Sequence, residues 1–323
     1  MQSNTLIIGA GVSGLAAART LHDANHSVML LDKGRGVGGR AATRKLGDRE
    51  APGGRWDHGA QYFTLRSPAL RQTLTGWGAM APISPWHTGP DGTERLHATE
   101  GFNAFPKALA NGLPVHTALR VVRLVRSAAR WTVHTDSGER FSATTLICTL
   151  PAPQLVDLLR DSELAVPPSL CEITYQRNLT LMAELDGPAG LPPPGCLRPE
   201  SGILHRIVDN ARKGISKAHT VTAQATPAFS LEWYDRDRAT AASVLRAALQ
   251  EILSHPIHRV QIHGWKFSEP IHRHPRACLK IQDGLWAAGD GFMAGDPHVA
   301  ADHPPRIESA LLSGIAAANA VLN

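Results

Sequence analysis

Three glycines and one acid near the start of the chain have the types and spacing to hold a dinucleotide. Gly9-x-Gly11-x-x-Gly14 is followed, 18 positions after its last glycine, by Asp32. The first glycine permits a tight turn, the second lets backbone approach a pyrophosphate, and the third lets helix and strand pack closely. The phosphate charge then meets the N-terminal amides of a helix, where Val12 and Ser13 lie. Asp32 is placed to accept hydrogen bonds from a ribose hydroxyl. The elements that must position these groups are legible. TLIIG (5–9) reads as a short buried strand, LAAARTLHDA as a helix, and SVMLL (27–31) as a second strand ending on Asp32.

Directly after Asp32 comes KGRGVGGR (33–40), and the Asp-x5-Gly38-Gly39-Arg40 spacing resembles the second fingerprint of the flavin-containing amine oxidase superfamily. In that superfamily the Gly-Gly turn brings amides to the pyrophosphate and the arginine adds a charge-assisted contact. The resemblance therefore implies FAD, with Lys33, Arg35, Gly38, Gly39 and Arg40 beside it. It also implies that His58-Gly59-Ala60-Gln61-Tyr62 crosses the isoalloxazine ring, where small residues permit close approach. Near the C-terminus LWAAGD (285–290) ends on Gly289-Asp290, and Arg306-Ile307-Glu308-Ser309-Ala310 opens a last helix. By the same resemblance Gly289 and Asp290 lie by the ribityl chain, and that helix, through Ile307, Glu308 and Ala310, points its N-terminus at the flavin pyrimidine edge.

LLDKGRGVGGRAATR, DHGAQYFT, LICTLPAPQLVDLL, GILHRIVDNARKG, GWKFSEP and AAGD…ESALLSGIAAAN occur here in the order found in the bacterial renalase-like branch of that superfamily. The correspondence covers most of the chain. The segment 291–305 is longer and richer in Pro and His than the branch leads one to expect, and AFSLEWYD (228–235) matches only loosely. The branch implies an FAD-dependent oxidase of the 2- and 6-dihydro isomers of NAD(P)H, returning NAD(P)+ and reducing oxygen to hydrogen peroxide. An amine oxidase or a desaturase of a specialised pathway is the alternative in the same class. A noncatalytic flavin- or dinucleotide-binding redox sensor is the alternative of another class. Tyr62, Trp265 and Lys266 are the candidate catalytic side chains, and Phe102 and Trp233 are further candidates to wall the cleft. No Ser-His-Asp or Cys-His set suggests a covalent nucleophile.

Composition narrows the field. The 323 residues are 43% hydrophobic, with no apolar run approaching the ~20 residues of a membrane helix. The N-terminal apolar stretch lacks a basic flank and coincides with the phosphate-binding strand, so it reads as retained. Cys148, Cys171, Cys196 and Cys278 are scattered, with no CxxC, which fits a reducing, cytoplasmic setting and excludes a redox-active pair. No cysteine follows Cys278, so the FAD is expected to be noncovalent. The net charge of +5 suits an anionic small substrate, including a pyridine nucleotide, with oxygen as acceptor. The basic run Lys33, Arg35, Arg40, Arg44, Lys45, Arg49, Arg55 lacks interleaved aromatics, so no nucleic-acid partner is expected. The histidines at 255, 258 and 263, and at 272 and 274, form no closed ligand set, so no metal is expected. His298 and His303 lie in the unusual loop. A single dinucleotide fingerprint means that any pyridine nucleotide reacts in the substrate cleft.

The resulting expectation is an α/β fold with an α+β second lobe. An FAD-type Rossmann domain with an antiparallel meander (strands within 121–126, 131–135 and 140–150) is joined to a mixed-sheet substrate domain, an arrangement similar to amine oxidases and p-hydroxybenzoate hydroxylase. Residues 1–65, 110–165 and 276–323 are assigned to the FAD domain, and 66–109 and 166–275 to the substrate domain.

Overall fold

The computed structural model describes residues 2–45, 54–295 and 307–323. The chain begins as the glycine pattern demands, with β1 (Gln2–Ile8), α1 (Val12–Asp23) and β2 (Val28–Leu31), then short β3 (Thr43–Lys45) and β4 (Arg55–Asp57). Next come α2 (Pro68–Gly76), a ribbon of β5 (Ile83–Thr88) and β6 (Glu94–Ala98), α3 (Ala104–Ala110) and β7 (Val115–His116). The meander β8 (Val121–Ser127), β9 (Arg130–Thr135) and β10 (Arg140–Cys148) leads to α4 (Ala152–Asp161) and α5 (Pro168–Cys171). A second group holds β11 (Thr174–Tyr175), β12 (Asn178–Leu185), β13 (Cys196–Leu197), β14 (Leu204–Asp209), β15 (Thr220–Ala225), α6 (Pro227–Trp233), α7 (Arg238–Gln250), β16 (Ile257–Trp265) and β17 (Pro270–His272). The described chain closes with β18 (Leu279–Gln282), β19 (Leu285–Ala287) and α8 (Ile307–Leu322).

The first sheet runs β18-β19-β10-β1-β2-β7, parallel from β19 to β7, with β8 and β9 attached antiparallel to the start of β10. Alternation along β1 sorts its two faces. Ile7 joins Leu15, Ala17 and Leu311 on the α1–α8 side, whereas Leu6 and Ile8 join Trp131, Leu155 and Leu159 under α4 and the meander. The helices α1 and α8 touch through backbone: a Cβ on Gly314 would stand 2.0 Å from the Ser13 carbonyl oxygen. This contact sets the last helix against the dinucleotide helix.

The second sheet runs β13-β14-β15-β12-β16 and is antiparallel throughout. The mixed sheet expected for this lobe is therefore corrected in detail, because each pair of neighbours runs in opposite directions. Its core is covered by α7, whose Ala241, Leu245 and Leu249 repeat every fourth residue on one face. Segment 66–109, expected in the substrate domain, packs its two helices in the core beside α1. Leu70 and Leu74 of α2 and Phe105 and Leu109 of α3 are buried with Leu15 and Leu21 of α1, because the apolar faces of α2 and α3 close one side of the first sheet. The two lobes meet at β4, where Trp56 donates to the Ala183 carbonyl (2.9 Å) and Thr220 to that of Arg55 (2.9 Å). Among the described residues no helix is long and apolar enough to cross a membrane.

Candidate active site

The first glycine turn is held from both sides. Gly9 has φ +107° and donates to Leu31 (2.8 Å), while Thr149 donates its hydroxyl to the Gly9 carbonyl (2.9 Å). A Cβ on Gly14 would lie 2.0 Å from that same carbonyl oxygen, which is why helix and turn fit only with glycine there. Asp32 accepts from the amides of Ala10 (2.6 Å) and Gly34 (2.6 Å), pinning the end of β2 to the turn. Burial raises its pKa, and those two amides pull back the other way.

The second turn lies against the first. Gly38, at φ +111°, donates to the Ala10 carbonyl (2.8 Å) and forms a parallel bridge with Gly11. A Cβ on Gly39 would be 3.7 Å from Gly11 Cα, and one on Gly11 would meet nothing within 4 Å. Both turns thus border the same open space, and α1 starts there at Gly11 with no side-chain cap. Free amides and the positive end of a helix dipole face that space. Ser13 Oγ and His58 Nδ1 are buried without a partner, as polar groups are when a ligand completes them. This cradle fits FAD.

Arg40, expected to contact phosphate, also has protein partners. Its guanidinium forms a two-pronged pair with Asp290 (2.6 and 2.7 Å) and donates to the carbonyls of Phe267 (3.2 Å) and Ser268 (2.9 Å). Burial opposes its charge, but Asp290 keeps its pKa above the ordinary value. Arg40 is a strut joining the second glycine turn, Gly289-Asp290 and the end of the substrate lobe. Lys33 is exposed and donates to Gln154 (3.2 Å), and Arg35 is exposed.

The crossing segment 57–62 is equally constrained. Ala60 donates to the Arg40 carbonyl (3.0 Å), and a Cβ on Gly59 would stand 1.9 Å from that oxygen. His58 stacks on Trp265 (centroids 5.3 Å apart) and meets His263 edge-on at 5.0 Å, while Trp265 Nε1 donates to the His58 carbonyl (2.8 Å). Burial, with the charges of His263 and Arg44, pushes His58 down to about 3; burial with Arg44 and Arg238 pushes His263 to about 4. Both rings are neutral at ordinary pH. Gln61 is buried and donates to the Gly59 carbonyl (3.2 Å).

Sequence reasoning missed the ion pair beneath this segment. Lys213 Nζ lies 2.7 Å from Asp57, both side chains are 0% exposed, and Lys213 also donates to the Gln61 carbonyl. Asp57 further accepts from Thr43 Oγ1 (2.6 Å) and the Phe102 amide (2.8 Å). The available signal was a charge of each sign inside DHGAQYF and GILHRIVDNARKG, two motifs already singled out. Above it, Tyr62 accepts from Arg198 (3.1 Å) and has the guanidinium carbons of Arg95 and Arg206 each 5.4 Å from its ring centroid.

Other candidates lie elsewhere. Lys266 is exposed, with its ammonium over Phe267 at 5.5 Å. Phe102 is fully buried against Phe63 and so is no cleft wall, and the half-buried Trp233 stacks on Phe229 at 5.5 Å. The buried Glu308 carboxylate accepts the Arg66 (3.0 Å) and Ser67 (2.8 Å) amides at the start of α2. Ile307 is half-buried and Ala310 buried in the first turns of α8, and Gly289 donates to Ser313 Oγ (2.9 Å) on the same helix. His272 pairs with Thr174 (2.9 Å) and His258 with Asp186 (3.0 Å). Among the described residues no group of three or more His, Cys, Asp or Glu is arranged for a metal ion. Arg49, Arg306, His298 and His303, like most of the 291–305 loop, lie outside the described residues.

Comparison with known proteins agrees with this geometry. A family model for an NAD(P)-binding Rossmann-like domain matches residues 7–77, and one for flavin containing amine oxidoreductases matches residues 76–322. Renalase from Mus musculus is 25% identical over 90% of this chain and 93% of its own length. (S)-6-hydroxynicotine oxidase from Paenarthrobacter nicotinovorans is 34% identical over 36% of this chain and 28% of its own. Among solved structures, a putative protoporphyrinogen oxidase from Exiguobacterium sp. 255-15 superposes with a TM-score of 0.77 at 13% identity, covering 99% of this chain and 98% of that one. Putrescine oxidase bound to putrescine gives 0.70 at 14% identity, covering 100% and 99%.

Proposed function

This chain belongs to the flavin containing amine oxidoreductase family and is an FAD-dependent oxidoreductase; we propose that it oxidises dihydropyridine isomers of NAD(P)H, the 2- and 6-dihydro forms. The balanced reaction takes one dihydropyridine, one oxygen molecule and one proton to NAD(P)+ and hydrogen peroxide. FAD, held noncovalently, supplies the hydride acceptor and the route of two electrons to oxygen. The chain supplies the rest. Gly11, Gly39 and the α1 N-terminus would hold the pyrophosphate and Asp32 the ribose, and the α8 N-terminus would stabilise negative charge on the flavin. His58, Gly59, Ala60 and Gln61 set the strap against the ring, and Trp265 fixes His58.

The observation that carries the substrate assignment is the sign of charge around Tyr62. Arg95, Arg198 and Arg206 surround this ring, and Gln224, which accepts from Arg206 (3.2 Å), donates to the Gly59 carbonyl (3.1 Å). The wall nearest the strap is therefore cationic, which favours an anionic donor and disfavours a protonated amine. Turnover in air tests this. The dihydro isomers are expected to disappear with NAD(P)+ and peroxide formed one for one. Peroxide and ammonia released from a primary amine, with the isomers untouched, would replace this reading with amine oxidation.

A further inference from the structure

Among the described residues, only one of the three arginines around Tyr62 has an acidic partner. Arg95 pairs with Asp91 at 2.8 Å. Among the described residues, Arg198 and Arg206 have no carboxylate partner: Arg198 donates to Tyr62, and Arg206 donates one nitrogen to Gln224. Arg206 Nε is buried with no partner at all. Its surroundings keep it below the usual arginine range, first through burial and then through Arg198, against the opposing pull of Tyr62, Cys196 and Glu269. His205 next to it is also lowered, by burial and by the charges of Arg206 and Arg198. Lys213 contributes no free charge here, because Asp57 neutralises it at 2.7 Å.

A buried guanidinium donor left unused is costly, and an anion bound there would complete it. A guanidinium fork matches the oxygens of a phosphate group in both geometry and charge. The position is fixed as well. Arg206 reaches Gly59 of the 57–62 segment through a single side chain, Gln224, so a group bound by Arg206 would lie near that segment. The Tyr62 ring, 6.1 Å from that of Trp86, lies 5.4 Å from the Arg206 guanidinium carbon.

We infer that Arg206 and Arg198, grouped about Tyr62, form the subsite that binds a phosphate group of the substrate. This rests on the dihydropyridine reading above and adds the residues that recognise the anionic half of the donor. A neutral dihydropyridine lacking phosphate would lose this contact while keeping its ring chemistry.

The test uses the holoenzyme and three variants: Arg198→Ala at an exposed position, Arg206→Lys, which keeps charge but removes the fork, and the two combined. Two donors sharing one dihydropyridine ring are compared, a mononucleotide and the corresponding riboside without phosphate. Binding of inorganic pyrophosphate is followed in parallel by perturbation of the flavin spectrum. For the wild type, the mononucleotide is expected to have a KM roughly tenfold or more below that of the riboside, the scale of one charge-assisted contact. Each single variant is expected to raise the mononucleotide KM by roughly that factor and the riboside KM by clearly less. Pyrophosphate binding is expected to weaken in the same order. Equal KM values for the two donors in the wild type, or unchanged mononucleotide KM and pyrophosphate affinity in the variants, would overturn the subsite while leaving the dihydropyridine reading intact. If no dihydropyridine is oxidised yet pyrophosphate binds in an Arg198- and Arg206-dependent way, the subsite stands and the substrate reading falls.

Discussion

The cofactor cradle and the cleft wall are built on opposite principles. The cradle is made of backbone, drawn largely from residues 9–40, with glycines wherever a methyl group would strike a carbonyl or fill the ligand's space. The wall is made of side chains that meet from Asp57–Tyr62, Trp86–Arg95 and Arg198–Gln224. A backbone site needs a short, ordered run of residue types. A side-chain site needs only that distant segments fold against each other. The first tolerates almost no substitution at its glycines, and the second can change specificity by exchanging one side chain.

The largest expected effect falls within the wall, where the two lobes join. Lys213→Met leaves the Asp57 carboxylate buried without a counter-charge, and removing one partner of such a pair costs about 3–5 kcal/mol. Denaturant unfolding is expected to show that loss, and pairing it with Asp57→Asn should recover part of it. A single variant within about 0.5 kcal/mol of wild type, the range of ordinary surface changes, would mean the lobes are not joined through this pair.

Two glycine variants separate fold from cofactor inside the cradle. Gly59→Ala places a methyl group 1.9 Å from the Arg40 carbonyl oxygen; the overpacking costs about 1–3 kcal/mol in stability and lowers flavin content. Gly11→Ala meets no protein atom within 4 Å. It should leave apoprotein unfolding unchanged and weaken FAD alone, as read by flavin released per protein chain. Equal stability losses in both variants would show that the open space at Gly11 is not the cofactor's.

Acid is expected to have the smallest effect, and it draws on both regions. His58 at about 3 and His263 at about 4 lie by the strap, and His97 at about 4 lies by the wall, lowered by burial and then by Lys213. Unfolded histidine titrates near 6.5, so below that pH the unfolded chain binds protons that the folded one refuses. The stability these rings contribute is present above pH ~6.5 and is lost as pH falls toward their folded values. Melting temperature should decline from pH 7 to 5, and His58→Gln should flatten the decline. An unchanged slope in that variant would mean His58 is already protonated in the fold.

Legibility in the sequence follows the same division. Glycine spacing, strand–helix alternation and the meander with its Asp136-Ser137-Gly138 turn are local, and β1, α1, β2 and β8–β10 appear where those patterns place them. The Lys213–Asp57 and Arg40–Asp290 contacts link residues 156 and 250 positions apart, a distance that no local pattern encodes. Glu308 has the position expected of a flavin-edge residue, but the start of α2 takes its carboxylate. Segment 66–109 has the amphipathic helices of either lobe, and only packing against α1 decides its place.

The proposed anion-recognising wall beside a flavin cradle predicts that dihydropyridines and not amines reduce this protein. Anaerobic mixing of the holoenzyme with the 6-dihydro isomer of NAD, normal 4-dihydro NADH and a primary amine, followed by loss of oxidised-flavin absorbance, tests it most directly. The expected result is rapid bleaching by the 6-dihydro isomer, with the other two slower by orders of magnitude. Rapid bleaching by the amine with no response to the isomer would contradict it.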